Sequence, residues 1–158
     1  MALAITPHDP RLPEVVHLLQ RHLEFARAVT PPGHVHALDL EGLLEPEVSF
    51  FGARRGGVLL GIGALKELDA GHVELKSMHT AADARGEGVG SAMLSYLMAI
   101  ATERGYRRVS LETGTMPAFM PARSLYERFG FKPCEPFGRY TVNPNSICMT
   151  IELPYAAS

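Results

Sequence analysis

Three glycines at alternate positions, Gly86, Gly88 and Gly90, are the feature that most constrains the fold of this chain. They follow a strand-like run that ends near Thr80, and they precede apolar residues at helical spacing. Glycine lets a backbone approach a ligand closely, and a helix N-terminus carries a partial positive charge. Arg85 adds a fixed cation at the same place. The sequence therefore predicts an α/β protein whose strand-to-helix turn holds a pyrophosphate.

Two familiar phosphate-binding motifs do not fit this turn. A P-loop ends in Gly-Lys-Ser/Thr, whereas this chain has Gly90-Ser91-Ala92. A dinucleotide-binding turn has the spacing Gly-x-Gly-x-x-Gly, whereas these three glycines alternate with other residues and follow a long loop. Because glycines also cap helices and fill tight turns, the turn taken alone leaves a purely structural role open.

The hydrophobic pattern predicts an ordered series of helices and strands. Helical patterns occur after Asp9, around residues 37–44, after the glycines, and over residues 122–129. Strand patterns occur near residues 49–54, 58–68, 72–80, 109–113, 131–137 and 147–153. The first three strands read as an antiparallel meander, and the fourth is entered after a helix. We therefore predict an α/β fold with a mixed, mostly antiparallel, twisted sheet of about seven strands and helices on both faces.

A second motif lies downstream, where the stretch from Ala122 to Phe131 reads Ala-x-x-Leu-Tyr-x-x-x-Gly-Phe. Together with the run from Arg85 to Gly90, it resembles the signatures of the GNAT superfamily of acetyl-CoA-dependent N-acetyltransferases, the first of which is Gln/Arg-x-x-Gly-x-Gly/Ala. The order of predicted helices and strands is also similar to that family, and the resemblance covers residues 45–153. It implies a GNAT-type fold and an acetyltransferase activity.

Composition and charge limit the partners of the chain. A length of 158 residues fits one domain, so we expect a single domain over residues 1–158. The net charge of −2 gives no electrostatic reason to expect a nucleic acid or a membrane surface as partner. The start of the chain lacks the pattern of a signal peptide, and Cys134 and Cys148 read as free thiols. These features favour the cytoplasm.

The resemblance implies that acetyl-CoA is the cosubstrate and that it lies between the third strand and the strand near Val109. Backbone groups of Met78 and Thr80 would pair with the pantetheine arm, and amides of the glycine turn would hold the pyrophosphate. The residues implied in cofactor binding are Met78, His79, Thr80, Arg85, Gly86, Glu87, Gly88, Val89, Gly90, Ser91 and Ser124.

Acetyl transfer to an amine makes three chemical demands, and the resemblance suggests a group for each. The amine must lose a proton, the developing oxyanion needs a hydrogen-bond donor, and the leaving thiolate needs a proton. By resemblance Tyr126 is the acid and the Met78 N–H is the oxyanion donor. The histone acetyltransferase branch carries a strand glutamate as base at the position of Glu74.

The choice of base stays open at this level. Strand alternation places Glu74, Lys76 and Met78 on one face, so Glu74 could face the cleft or form an ion pair with Lys76. Glu112, acting through a water molecule, is the second candidate. His79 alternates to the other face unless a bulge intervenes, and it ranks third.

The acceptor end of the cleft is where the chain departs from its family. Many members carry Asn where this chain has Phe119, so some polar contacts to pantetheine are in doubt and Phe119 could instead wall the acceptor site or face the core. His34, His36 and Asp39 are candidates for acceptor contacts. No third firm metal ligand is near the two histidines, so no metal is expected.

These patterns lead to one functional prediction and two alternatives. The predicted activity is transfer of an acetyl group from acetyl-CoA to a primary amine of a small molecule, an amino acid or a polyamine-like compound, by direct attack in a ternary complex. A protein amine as acceptor and a non-catalytic acyl-CoA-binding domain are the alternatives. Relatives often dimerise through their C-terminal strands, so a homodimer is also considered.

Overall fold

A computed structural model describes residues 2–29 and 40–154 of the chain. The strands are β1 (Ala4–Pro7), β2 (Val48–Arg55), β3 (Val58–Asp69), β4 (His72–Thr80), β5 (Arg108–Gly114), β6 (Lys132–Cys134) and β7 (Ser146–Glu152). The α-helices are α1 (Pro13–Val29), α2 (Leu40–Leu43), α3 (Val89–Glu103) and α4 (Met120–Phe129).

The seven strands form one sheet in the order β1-β2-β3-β4-β5-β7-β6. Every neighbouring pair is antiparallel except β4 and β5, which run parallel because α3 carries the chain from one to the other. The predicted fold class, a mixed and mostly antiparallel seven-stranded sheet in an α/β protein, is therefore confirmed.

Two predicted element boundaries were wrong, and one strand was missed. The first helix begins at Pro13 rather than near Asp9, because the Asp9 carboxylate accepts the Arg11 backbone N–H (2.9 Å) and closes a separate turn. Strand β1 was not predicted, since it is short and mostly exposed. The strand expected over 131–137 is only three residues long, and Pro136, two residues beyond its end, has no N–H to offer a ladder.

Helices cover both faces of the sheet. Strand residues such as Leu65, Leu75 and Leu111 belong to a large core that α3 and α4 complete. On the opposite face, Ile62 and Ala64 pack with residues of α1 and α2 in a smaller core. The α3 residues that face the large core recur at helical spacing, and they are Val89, Met93, Leu94, Leu97, Met98 and Ala101.

Both cysteines are free thiols, as predicted. Cys148 is buried on β7, and Cys134 is half-buried directly opposite it on β6.

Candidate active site

The central feature of the sheet is a gap between its two parallel strands. Strands β4 and β5 pair only where His72–Glu74 meets Arg108–Ser110, and beyond that point no ladder joins them. A cavity of about 480 Å³ lies in the gap. Its walls come from β4, β5, α1, the glycine turn, α4 and the loop before β7. An opening of this kind lets a ligand reach strand backbone in the middle of a sheet.

A β-bulge at Ser77 changes which side chains of β4 share a face. Ala64 pairs with Lys76 and Ile62 pairs with His79, so two residues of β4 oppose one of β3. Ser77 lies in the left-handed region, with φ of 57°. The bulge puts the side chain of His79 on the α1 face with Lys76.

The prediction that Glu74, Lys76 and Met78 share one face of the sheet is therefore wrong for Met78. The Met78 sulfur would lie 3.1 Å from a Cβ built on Gly63, where Leu97 of α3 also approaches, so it faces the α3 side. Strict alternation failed because one extra residue inverts the phase of a strand. The same bulge brings His79 to the face of Glu74, as the sequence predicted for the case of a bulge.

The glycine turn lies at one end of the cavity. Gly86 and Gly88 have φ of 81° and 82°, which is a conformation that side chains disfavour, and Gly88 caps the N-terminus of α3. Glu87 was expected among the cofactor-binding residues, but its side chain forms an ion pair with Arg55 (2.9 Å) outside the cavity. The residues of the turn and of the adjacent strand end that line the cavity are His79, Thr80, Arg85, Gly86, Gly88, Val89, Gly90 and Ser91, with Met78 beside them.

A buried polar cluster occupies the other end of the cavity. The Lys76 ammonium donates to Glu74 Oε2 (3.0 Å) and to the Tyr140 hydroxyl oxygen (2.8 Å), and that hydroxyl donates to Glu74 Oε2 (2.6 Å). The side chains of Glu74 and Lys76 are only 6% and 9% exposed. The Glu74–Lys76 ion pair is thus present. Burial raises the pKa of Tyr140, and the Glu74 charge adds to this effect.

Glu112 on β5 lines the same cavity, but unlike Glu74 it is not bonded to a charged or hydroxyl-bearing side chain of the described residues. Within residues 2–29 and 40–154 its carboxyl group makes no hydrogen bond and no ion pair. Burial raises the pKa of Glu112 to about 7, against the opposing effect of the Lys76 ammonium and with a contribution from the Glu74 charge. A carboxyl group that titrates near neutrality is suited to accept a proton.

Tyr126 on α4 presents a phenol to the cavity. The residue is 7% exposed, and its ring packs edge-to-face against Phe131 with 5.8 Å between centroids. In the part of the chain that is described, its hydroxyl makes no hydrogen bond. Burial raises the pKa of Tyr126 above its ordinary value, so the phenol stays protonated at neutral pH.

Two histidines form the α1 side of the cavity. His22 of α1 and His79 lie with their Nδ1 atoms 3.3 Å apart. Burial lowers the pKa of His79 to about 4, helped by His22 and by the Arg85 charge, and burial also lowers the pKa of His22. Both imidazoles are therefore neutral at pH 7, but the lowered pKa of His79 makes it a much weaker base than Glu112, whose pKa is about 7.

Phe119 closes the end of β5, at the position where many relatives carry Asn. Its ring lies so close to Gly114 that a Cβ there would overlap it, and it packs edge-to-face on Phe25 of α1 (5.3 Å). Both rings line the cavity, so Phe119 forms the apolar wall that was one of its two predicted positions. Ser124 does not line the cavity.

Arg123 is a residue whose position was not anticipated. Its Nη1 donates to the carbonyl oxygens of Gly114 (2.6 Å) and Met116 (3.2 Å), which ties α4 to the end of β5. No sequence pattern indicated this contact, because the side chain reaches back nine residues along the chain. His22, Phe25 and Asn145 were also missed as cavity residues, since they come from distant elements.

Arg123→Ala is expected to loosen the attachment of α4 to the end of β5. Removing a charged donor from two backbone carbonyls costs about 1.5–3 kcal/mol of stability by the usual value for such bonds. The KM for acetyl-CoA should rise several-fold while kcat changes less. Steady-state kinetics and urea unfolding test this, with Arg104→Ala as the matched control, because the Arg104 guanidinium bonds to Ser49 Oγ (2.7 Å) outside the cavity. An unchanged KM would show that the contact does not position the cofactor.

The predicted acceptor contacts His34, His36 and Asp39 lie outside the described residues. Among residues 2–29 and 40–154, no three His, Cys, Asp or Glu side chains are grouped to hold a metal ion. In those same ranges no helix has the length and apolar character that crossing a bilayer requires.

Comparison with known proteins agrees with this geometry. Residues 12–131 match the Acetyltransferase (GNAT) family. The N-acetyltransferase YsnE of Bacillus subtilis, which is described as uncharacterised, is 49% identical over 89% of this chain and 93% of its own. The uncharacterised N-acetyltransferase YedL of Escherichia coli is 41% identical over 95% of this chain and 98% of its own.

A solved structure has the same fold. A GNAT family acetyltransferase from Elizabethkingia anophelis, determined with acetyl-CoA bound, superposes with a TM-score of 0.70, at 20% identity over 96% of this chain and 98% of its own. Together these likenesses show an acyltransferase of the acetyl-CoA type. The chain belongs to the GNAT acetyltransferase family and is an N-acetyltransferase.

Proposed function

We propose that the enzyme transfers the acetyl group of acetyl-CoA to a primary amine of a small molecule, by direct attack of the amine in a ternary complex. The observation that carries this proposal is the pairing of Glu112 and Tyr126 on one cavity. One is a carboxyl group with a pKa of about 7, and the other is a protonated phenol. A base and an acid with such different proton affinities suit a reaction that takes a proton from one atom and gives one to another.

Glu112 is the group that accepts the proton of the acceptor ammonium. A lysine-like amine has a pKa near 10, so it is mostly protonated at neutral pH and cannot attack. A base is most effective when its own pKa lies near the working pH, as that of Glu112 does. Glu74, the first candidate from the sequence, is already engaged with Lys76 and Tyr140. Its role in this proposal is to hold Lys76 in place.

Tyr126 and Met78 provide the proton for the leaving thiolate and the hydrogen bond for the oxyanion, respectively. The Tyr126 hydroxyl gives its proton to the leaving thiolate, and its lack of a competing partner in the described part of the chain supports that role. The Met78 N–H lies just after the bulge at Ser77 and is the proposed donor to the thioester oxygen. When bound, acetyl-CoA supplies the activated acetyl group as a thioester.

The glycine turn holds the diphosphate in this proposal. The backbone N–H groups between Arg85 and Ser91 and the N-terminus of α3 provide donors and positive potential for an anion. The two arginines that line the cavity, Arg85 and Arg128, add positive charge. Strand β4 beyond the bulge is not paired with β5, so its backbone can bind an extended pantetheine arm.

Size and charge at the acceptor end favour a small amine. The cavity of about 480 Å³ has to hold the acetyl-bearing part of the cofactor as well as the acceptor, which leaves room for a compact acceptor. Glu74 and Lys76 neutralise each other, so the Glu112 carboxylate is the charge that attracts an ammonium group. Phe25 and Phe119 provide an apolar wall for the carbon skeleton.

The experiment that tests this function is CoA release from acetyl-CoA by the purified enzyme, screened over amino acids, polyamines, aminoglycosides and lysine peptides. We expect release that depends on a small amine, with formation of its N-acetyl derivative by mass spectrometry. Release that depends on peptides alone would identify a protein acceptor instead. If no amine supports release although acetyl-CoA raises the Tm, amine acetylation is wrong.

A further inference from the structure

An acetyltransferase for amines must keep its own amines out of the reaction, and Lys76 is the one at risk. The chain has three lysines, and Lys76 is the one whose side chain lines the active-site cavity. It lies on β4 two residues before Met78 and near Glu112. An amine held next to a thioester reacts with a large effective concentration compared with a free acceptor.

The contacts of Lys76 bind its ammonium group to two neighbouring side chains. An ammonium has no lone pair, so it cannot attack a carbonyl carbon. Glu74 supplies a negative charge 3.0 Å away, and the Tyr140 hydroxyl oxygen accepts a second bond at 2.8 Å. Tyr140 also donates to Glu74, which fixes the carboxylate beneath the ammonium. Each of these bonds is stronger to the charged form of the lysine than to the neutral one.

Among residues 2–29 and 40–154, Glu112 is the other acidic group that faces Lys76, and in the wild type it does not take over the contact that Glu74 makes. It makes no hydrogen bond to Lys76, and because burial raises its pKa to about 7, half of it is uncharged near neutral pH. Without Glu74, the buried ammonium would lose a counter-charge that lies 3.0 Å away, and no other described carboxylate forms an ion pair with it. The proton could then pass to Glu112.

We propose that Lys76 is a latent self-acetylation site, which the bonds to Glu74 and Tyr140 keep unreactive. In the step that these bonds prevent, the Lys76 ammonium gives a proton to Glu112, and its nitrogen attacks the thioester carbon. The C–N bond forms, the C–S bond breaks, and the second proton of the nitrogen passes by way of the Tyr126 hydroxyl to the leaving thiolate, which departs as CoA thiol. This inference rests on the proposed function, since it uses the same base and the same thioester.

The test is incubation of the wild type, Glu74→Gln and Tyr140→Phe with acetyl-CoA and no acceptor, followed by mass spectrometry of the intact chain and its peptides. The variants should gain one acetyl group on Lys76 about tenfold faster than the wild type, because the Lys76 nitrogen loses one of the two bonds that fix it to Glu74 and Tyr140 and is freer to meet the thioester. Glu74→Gln should react faster than Tyr140→Phe, because it removes the charge. Adding Lys76→Arg to either variant should abolish the gain.

The chain offers a matched control pair on the far side of the sheet. Glu67 accepts the Tyr106 hydroxyl at 2.6 Å, the same distance as in the Glu74–Tyr140 bond, but outside the cavity. Glu67→Gln and Tyr106→Phe should leave Lys76 unmodified. If either control becomes acetylated on Lys76 like Glu74→Gln, the protection is not specific and the inference falls.

A second measurement separates this inference from the proposed function. Acetic anhydride labels amines without the enzyme's own chemistry, and peptide mapping compares Lys76 with Lys66 and Lys132 in one sample. Slow labelling of Lys76 in the wild type and faster labelling in Glu74→Gln would support the protection, whether or not a small amine is ever acetylated. Equal labelling rates in both proteins would overturn it. So would rapid acetylation of wild-type Lys76 by acetyl-CoA, or variants that bind acetyl-CoA and leave Lys76 unmodified.

Discussion

Tyr126→Phe is expected to lower kcat by about 10²–10⁴-fold, which is the usual contribution of a positioned general acid. The substitution removes the one hydroxyl that we assign to the leaving thiolate and keeps the ring that packs on Phe131. Stability should change little, because in the described part of the chain that hydroxyl makes no hydrogen bond. The rise in Tm caused by CoA should also be unchanged.

Tyr96→Phe is the matched control for this experiment. Tyr96 lies on α3 and packs edge-to-face on Phe51 (5.4 Å), but it does not line the cavity, so kcat should stay at the wild-type level. Because burial raises the pKa of Tyr126, the wild-type profile should show no loss of activity from this group up to about pH 9. A kcat within threefold of wild type in Tyr126→Phe would mean that water or another group protonates the thiolate.

The second large effect is expected for Glu112→Gln. The base must be ionised to accept a proton, so wild-type kcat/KM should fall about tenfold per pH unit below a midpoint near 7. Glu112→Gln should lose about 10²–10³-fold in kcat/KM at pH 8, and its profile should lack this acidic limb. Glu74→Gln is the comparison variant. If it removes the acidic limb and Glu112→Gln keeps it, the base is Glu74.

Glu112→Gln should also be more stable than the wild type at alkaline pH. The pKa of Glu112 is raised in the folded state, so its ionisation opposes folding, and the wild type loses stability as pH rises from the unfolded value, between 4 and 5, to about 7. Above pH 7 the cost levels off at about 1–3 kcal/mol. Urea unfolding at pH 5 and pH 8 should therefore favour Glu112→Gln only at pH 8. A stability difference that does not depend on pH would contradict the raised pKa.

Tyr126 and Glu112, on which these two predictions depend, differ in how far the sequence alone indicates their roles. Tyr126 stands in a motif, so its position could be read directly. Glu112 was recognised as a candidate, but its raised pKa depends on its burial in the folded chain and, to a smaller extent, on the nearby Glu74 charge. Ranking Glu112 above Glu74 needed the contacts of Glu74, because an ion pair cannot be distinguished from a free carboxylate by spacing alone.

The sequence alone determined the family, the α/β class and the glycine turn. These follow from local signals, namely hydrophobic periodicity, two short motifs, and glycines at positions with positive φ. Their physical basis lies within a few residues of chain, so no tertiary information is required. Errors at this level were confined to element ends and to the short strand β1, where tertiary pairing outweighs weak local preference.

The tertiary structure decided which side chains meet in the active site. The bulge at Ser77 inverted the face of every later residue of β4 and moved Met78 to the α3 side, because a strand alternates strictly only while its ladder is regular. Arg123 bonds to the end of β5, and Tyr140 reaches Glu74 across 66 residues of chain. Such contacts depend on how elements pack in three dimensions, and no local pattern of residues encodes them.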